Sequence, residues 1–321
     1  IIIPKGMSLN RIAMLLEEKQ LVRNAKVFKY LVDFSGYGSR IKAGDYILDG
    51  SMTMQQIMDK LAAGEHAQPV TTFIITEGST VEQAAAQLQN QKIITDTKKF
   101  LDLCKSGKDF ENYGFVKDAL ATKNSSKRYY ALEGYLFPAK YEIYVGTSEE
   151  DIIKKMLDKT GSVMSDAYLA RAHALDMTYD EVLTLASMIE KEGKPDDFAK
   201  ISAVFHNRLD SNMTLGSDVT VAYAVHKTGF NLTNADLDSD SPYNTRKFKG
   251  LPLGPISNPG EEAIKAALYP DEAYIKGKYL YFYLTDPNKG TVEFYKTKAE
   301  FDAGKKKAQP VWDEYNKTHG G

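Results

Sequence analysis

Apolar residues recur every three to four positions through the middle of the chain. In MTYDEVLTLASMIEKEG, Val182, Leu185, Ala186 and Ile189 share one helical stripe, and Thr178 or Asp180 stands where a cap is needed. The same reading predicts helices at about 165–175, 179–193 and 197–210. Farther on, the aromatic runs YLYFYL and TVEFYKT read as strands. Between them and the helices lies SPYNTRKFKGLPLGPISNPG, whose density of Pro and Gly predicts a long ordered loop, of the kind that commonly carries function.

The front of the chain repeats itself. IIIPKGMSLNRIAMLLEEKQLVRNAKVFKYL aligns without a gap on FIITEGSTVEQAAAQLQNQKIITDTKKFLDL, placing Gly6 over Gly78, Ser8 over Thr80, Leu16 over Leu88 and Phe28 over Phe100. Each copy reads as a short strand, a glycine turn, a Ser- or Thr-capped helix and a second helix. DYILDGSMTMQQIMDKL then aligns on KYEIYVGTSEEDIIKKML, with Gly50 over Gly146 and Leu61 over Leu157. The offset grows from 72 to 96 residues, so the second copy holds 24 more, between Phe100 and Lys140. That insertion ends in the apolar YYALEGYLFP, which predicts a cleft wall or a contact between domains. The strand–helix–helix–strand order resembles LysM glycan-binding modules.

Composition narrows the function classes. Hydrophobic residues at 43% and charged residues at 26% describe an ordinary folded protein. The 41 Lys and Arg nearly cancel 43 Asp and Glu, so the net charge of −2 offers no overall footprint for nucleic acid. Cys104 is the single cysteine, which excludes an intrachain disulfide and any multi-cysteine metal centre; its apolar setting in FLDLCKSG predicts packing. Five histidines are scattered without paired spacing, and neither a metal nor a cofactor is predicted.

Glu190 shares a helical face with Leu183, Ala186 and Ser187, whereas Glu192 is expected to point round toward solvent. A carboxyl on an apolar face is either a structural acid, paired for example with Arg208, or a general acid kept neutral by desolvation. By residue type alone the structural reading is the commoner one.

Six motifs in fixed order reverse that weighting: LEGYLFPAKY, LASMIEKE, VFHNRL, SDVTVAY, SPYNT and GLPLGPISNPG. Together they resemble the YceG-like family of endolytic murein transglycosylases over nearly the whole chain. Departures are Val219, Arg246 and Leu253, where the family usually has Pro, Tyr and Pro, and GTVEFYKT, which lacks the family's frequent histidine. The resemblance implies cleavage of the β-1,4 bond between N-acetylmuramic acid and N-acetylglucosamine, with Glu190 as general acid and then base. The 6-hydroxyl of the sugar attacks, so no second carboxylate is required. It also implies substrate contacts from Ser217, Asp218, Thr220, Tyr243, Asn244, Thr245, Asn207 and Glu133, the last ranked first as a domain anchor. Pro255, Asn258, Pro259 and Gly260 are expected to shape their loop.

The expected fold class is therefore α+β: a LysM-like unit at 1–68, a second at 69–160 with its insertion, and a mixed α+β catalytic domain at 161–321. The expected partners are peptidoglycan strands and wall-synthesis proteins, with no nucleic acid. The resemblance also implies a single-pass membrane anchor ahead of this chain, with the chain itself as a catalytic ectodomain on the extracytoplasmic face of the cell membrane. The alternatives are a noncatalytic glycan-binding scaffold and a two-carboxylate hydrolase using Glu133 or Asp218.

Overall fold

The structure, a computed structural model, describes residues 1–64, 70–227 and 232–319. The chain forms two compact units, Ile1–Thr71 and Thr72–Gly321, each with its own hydrophobic cluster. The second repeat copy and the region after residue 160 thus belong to one unit and share one core.

In the first unit β1 (Ile2–Ile3) pairs antiparallel with β2 (Gly44–Asp45), around α1 (Leu9–Glu18) and α2 (Ala25–Phe34), and α3 (Met54–Ala63) follows. β3 (Val70–Ile74), which crosses the boundary at Thr71, pairs with β4 (Lys140–Tyr144), around α4 (Val81–Asn90), α5 (Thr97–Ser106) and α6 (Gly114–Ala121) of the second unit, and α7 (Glu149–Val163) follows. Several of the aligned positions have the same physical role in both copies, although Gly146 turns at positive φ and Gly50 does not. Ser8 and Thr80 cap α1 and α4 by accepting N–H groups of Arg11 and Gln83, and Gly6 and Gly78 both turn at positive φ. Leu16 and Leu88, Phe28 and Phe100, and Leu61 and Leu157 are all fully buried.

The insertion packs into the interior. Residues 131–138 are buried, and Phe115 stacks on both Tyr135 and Tyr179, which joins the second copy to the helices that follow. Arg128 makes the same connection electrically, donating to both oxygens of Asp180 at 2.8 and 2.5 Å.

The remaining elements are α8 (Asp166–Ala174), α9 (Tyr179–Glu192), α10 (Pro195–Asp210), α11 (Asp218–Ala224), α12 (Asn234–Leu237), α13 (Glu261–Leu268) and α14 (Glu272–Lys276). An antiparallel hairpin of β5 (Tyr281–Asp286) and β6 (Thr291–Tyr295) and the long α15 (Lys298–His319) complete the chain. Residues 182–189 of α9 are all buried, so the helix is a central strut, packed chiefly against α13 and α10. The Pro- and Gly-rich loop crosses it as a strap: the Ile256 N–H donates to Ser187 Oγ, and Ser257 Oγ donates to the Ser187 carbonyl. Asn258 ties the strap onward, accepting the Leu136 N–H and donating to the Ser79 carbonyl. The Cys104 side chain is fully buried, as its setting predicted.

Candidate functional site

A reciprocal capping box of Thr178 and Glu181 fixes the start of α9, and its end delivers two acids. Glu190 and Glu192 are two residues apart, roughly 200° round the helix, so they face different surroundings.

Glu190 is partly buried between the Gly78 turn and the start of α13, where its Oε2 accepts the Gly260 N–H at 3.0 Å. A Cβ on Gly78 would lie 3.3 Å from Glu190 Cγ. Burial raises its pKa, the Gly260 hydrogen bond opposes that rise, and the charge of Glu77 adds to it.

Glu192 corrects the expectation that it faces solvent. The helix ends at this residue, which is half-buried, and the loop leading into α11 lies against the carboxyl. Ser217 Oγ donates to Glu192 Oε1 at 2.5 Å. Burial pushes the Glu192 carboxyl from its ordinary 4.5 up to about 7; the Ser217 hydrogen bond pulls down, the Asp218 charge pushes up, and Arg208 pulls down. Arg208 spends its donors on the carbonyls of Leu280 and Leu215, and its guanidinium lies over the Tyr281 ring. It therefore pairs directly with neither Glu190 nor Glu192.

The Ser217 backbone is itself held. Its N–H donates to Thr245 Oγ1, the Thr245 and Thr220 hydroxyls are 2.9 Å apart, and Thr220 Oγ1 donates to the Ser217 carbonyl. Gly216 N–H donates to the Thr245 carbonyl, which locks the two loops together beside Glu192. Asp218, exposed at the start of α11, accepts from Arg246 Nη1 at 2.6 Å.

The other sequence-selected residues lie inside the scaffold. Asn244 is fully buried: its amide donates to the carbonyls of Leu237 and Ser239, and its oxygen accepts the N–H groups of Arg246 and Lys247. Tyr243 is buried against Tyr223 and Tyr129. Asn207 clamps the carbonyls of Tyr274 and Tyr279. Glu133, 2% exposed, accepts the Val81 N–H and the Tyr223 hydroxyl, both at 3.0 Å, and so joins α4 to α11. Of the nine selected residues, Ser217 touches Glu192, Thr220 and Thr245 hold Ser217, and Asp218 follows it in the chain, whereas Glu190 faces the Gly78 turn and α13. Among the described residues no cluster of His, Cys, Asp and Glu is arranged to hold a metal ion.

The site thus consists of a carboxyl with a raised pKa at the end of a central helix, a serine hydroxyl bonded to it and an exposed ion pair beside it, in a mixed α+β protein. The chain belongs to the YceG-like family, whose model matches residues 1–307. It is 37% identical over 317 residues to an endolytic murein transglycosylase of Bacillus subtilis, a match spanning 95% of this chain and 83% of that protein. An endolytic murein transglycosylase of Streptococcus pneumoniae is 34% identical over 318 residues, covering 94% of this chain and 56% of the relative; the chain spans little more than half of that protein. The crystal structure of a yceG-like protein from Listeria monocytogenes matches at a TM-score of 0.62 and 33% identity, covering 94% of this chain and 97% of that one.

Proposed function

We propose that the protein is an endolytic murein transglycosylase and that Glu192, not Glu190, is its general acid and base. The observation that carries this is the hydrogen bond from Ser217 Oγ, itself held in place by Thr220 and Thr245, to a carboxyl whose pKa of about 7 lets it hold and release a proton near neutrality. In the reaction Glu192 gives its proton to the bridging oxygen as the bond from that oxygen to the muramic acid anomeric carbon breaks. The resulting carboxylate then takes the proton of the sugar's 6-hydroxyl as that oxygen attacks the anomeric carbon. A 1,6-anhydro ring closes, no water is consumed, and Glu192 ends protonated. Hydrolases of this bond class need a second carboxylate. Here the nucleophile is the substrate's own 6-hydroxyl, so the reaction asks for no second carboxylate.

Glu190 also has a raised pKa and partial exposure, so it is the natural comparison. Incubating purified peptidoglycan with wild type, Glu190→Gln and Glu192→Gln, then analysing products by mass spectrometry, separates the two. Anhydro ends fall by on the order of a hundredfold or more only in Glu192→Gln. An inactive Glu190→Gln beside an active Glu192→Gln overturns the assignment. Reducing ends in place of anhydro ends support a hydrolase, and binding without any cleavage supports a scaffold.

The first unit, and the second copy apart from its inserted segment with α6, read as LysM-like modules that hold the glycan, a reading supported by their shared caps and buried positions. An enzyme of murein acts outside the cytoplasmic membrane, beside the proteins that build the wall. Among the described residues no helix is long and apolar enough to cross a membrane; the expected anchor rests on the family resemblance.

A further inference from the structure

The exposed pair at the edge of the site has a chemistry that the cleavage step does not use. Arg246 directly follows Thr245, whose hydroxyl and carbonyl are bonded to the backbone of Ser217 and Gly216. The Arg246 backbone is therefore fixed in register with Glu192, while its side chain is 42% exposed and its partner Asp218 61%. An ion pair this open to water contributes only about 0–1 kcal/mol, so exchange for another carboxylate costs little. The neighbouring cations are committed: Arg208 to two backbone carbonyls, and Lys247 to Asp238 and Asp240. A guanidinium has five N–H donors, and Asp218 takes one of those on Arg246.

A murein strand has a neutral sugar backbone, and its carboxylates are carried on the lactyl substituent of muramic acid, either as the free lactate or on an attached peptide. We propose that Arg246 is a specificity-determining residue that recognises this substituent carboxylate, exchanging Asp218 for the substrate. The inference rests on the murein reading above. It gives the site a means to tell muramic acid from a plain N-acetylglucosamine polymer. It also couples recognition to chemistry. The groups that face Glu192 are Ser217, Asp218 and Arg208, and releasing Asp218 from Arg246 leaves an uncompensated negative charge that favours the protonated acid before cleavage.

The test measures binding by calorimetry to the full chain carrying Glu192→Gln, which suppresses turnover. Four ligands of matched length are used: peptide-bearing strands, strands stripped to the free lactate, peptide-bearing strands with their carboxylates converted to amides, and chito-oligosaccharides. Adding Arg246→Gln weakens binding of a carboxylate-bearing strand roughly tenfold and leaves the amidated strand unchanged. Which carboxylate strand responds identifies the source. Adding Asp218→Asn instead removes the competitor and tightens the same strand, a gain that a folding defect cannot produce. Equal affinity of the parent and Arg246→Gln proteins for charged and amidated strands overturns the proposal, as does weaker binding in Asp218→Asn. If the parent binds no murein strand and wild type releases no anhydro ends, the murein reading itself falls.

Discussion

Glu133 should make the second unit less stable as pH rises, and replacing it with Gln should remove that loss. Its carboxyl is buried between the first N–H of α4 and the Tyr223 hydroxyl, and burial pushes its pKa from 4.5 to about 8 despite those hydrogen bonds. In the unfolded chain the same group titrates near ~4.3. Because the folded value is the higher one, the folded state binds the proton more tightly. The associated stability is complete below the unfolded pKa and is lost as pH climbs toward 8. From pH 5 to pH 7 is two units at roughly 1.36 kcal/mol each, so wild type loses about 3 kcal/mol relative to a variant that does not titrate. Gln reproduces the protonated acid: its oxygen can accept from Val81, and its amide can donate to the Tyr223 oxygen. Trp312, the only tryptophan, packs on Tyr283 in the second unit, so urea unfolding followed by its fluorescence reports on that unit. The two proteins should agree within about 1 kcal/mol at pH 5 and diverge in favour of Gln at pH 7 and 8. A Gln variant as destabilised at pH 8 as at pH 5, or a gap that narrows as pH rises, refutes the reasoning.

Ser217→Ala removes the hydrogen bond that lowers the Glu192 pKa, so that pKa moves above about 7. The basic limb of the pH profile of kcat/KM then shifts upward, which titrating cleavage from pH 5 to 9 reads directly. Gly134→Ala places a Cβ 2.3 Å from Pro255 Cβ at a φ of +85°, where the strap and the insertion meet. We expect a loss of about 2–4 kcal/mol, measured by denaturant unfolding, and a smaller loss would mean that the strap yields easily.

How much of this was legible in the sequence depended on where each residue's neighbours come from. The repeat was readable because its determinants are local: Ser8 and Thr80 cap the helix that begins at the next residue, and Phe28 and Phe100 face inward by helical periodicity. The body of α9 was readable for the same reason. Its last residue was not. Helical geometry correctly turned Glu192 away from the Glu190 face, but exposure there depends on the Ser217 loop, 25 residues downstream. A helix end followed by Gly193 is where such reasoning loses force, because the next elements can cover it. Asn244 and Tyr243 failed differently. In a Pro-rich segment they looked like polar and aromatic groups for sugar, yet the loop folds inward and Asn244 serves its own backbone. Arg128 and Asp180, 52 residues apart, gave no local sign of pairing.

The proposed chemistry sets conflicting demands on Glu192, which must be held in place yet remain a good acid near neutrality. Holding a carboxyl with a cation would meet the first demand and defeat the second, since an opposite charge at close range lowers a carboxyl pKa by roughly 1–3 units. Here the hydrogen bond comes from Ser217, whose position is set by Thr245 and Thr220, all neutral hydroxyls. The cations nearby are directed elsewhere: Arg208 to backbone carbonyls and Arg246 to Asp218. Because Oε1 accepts from Ser217, the transferable proton belongs on Oε2, so one neutral contact both orients the acid and selects the oxygen that acts. A Lys at position 217 could also hold the carboxyl, but it would keep Glu192 ionised and leave the bridging oxygen without a proton donor.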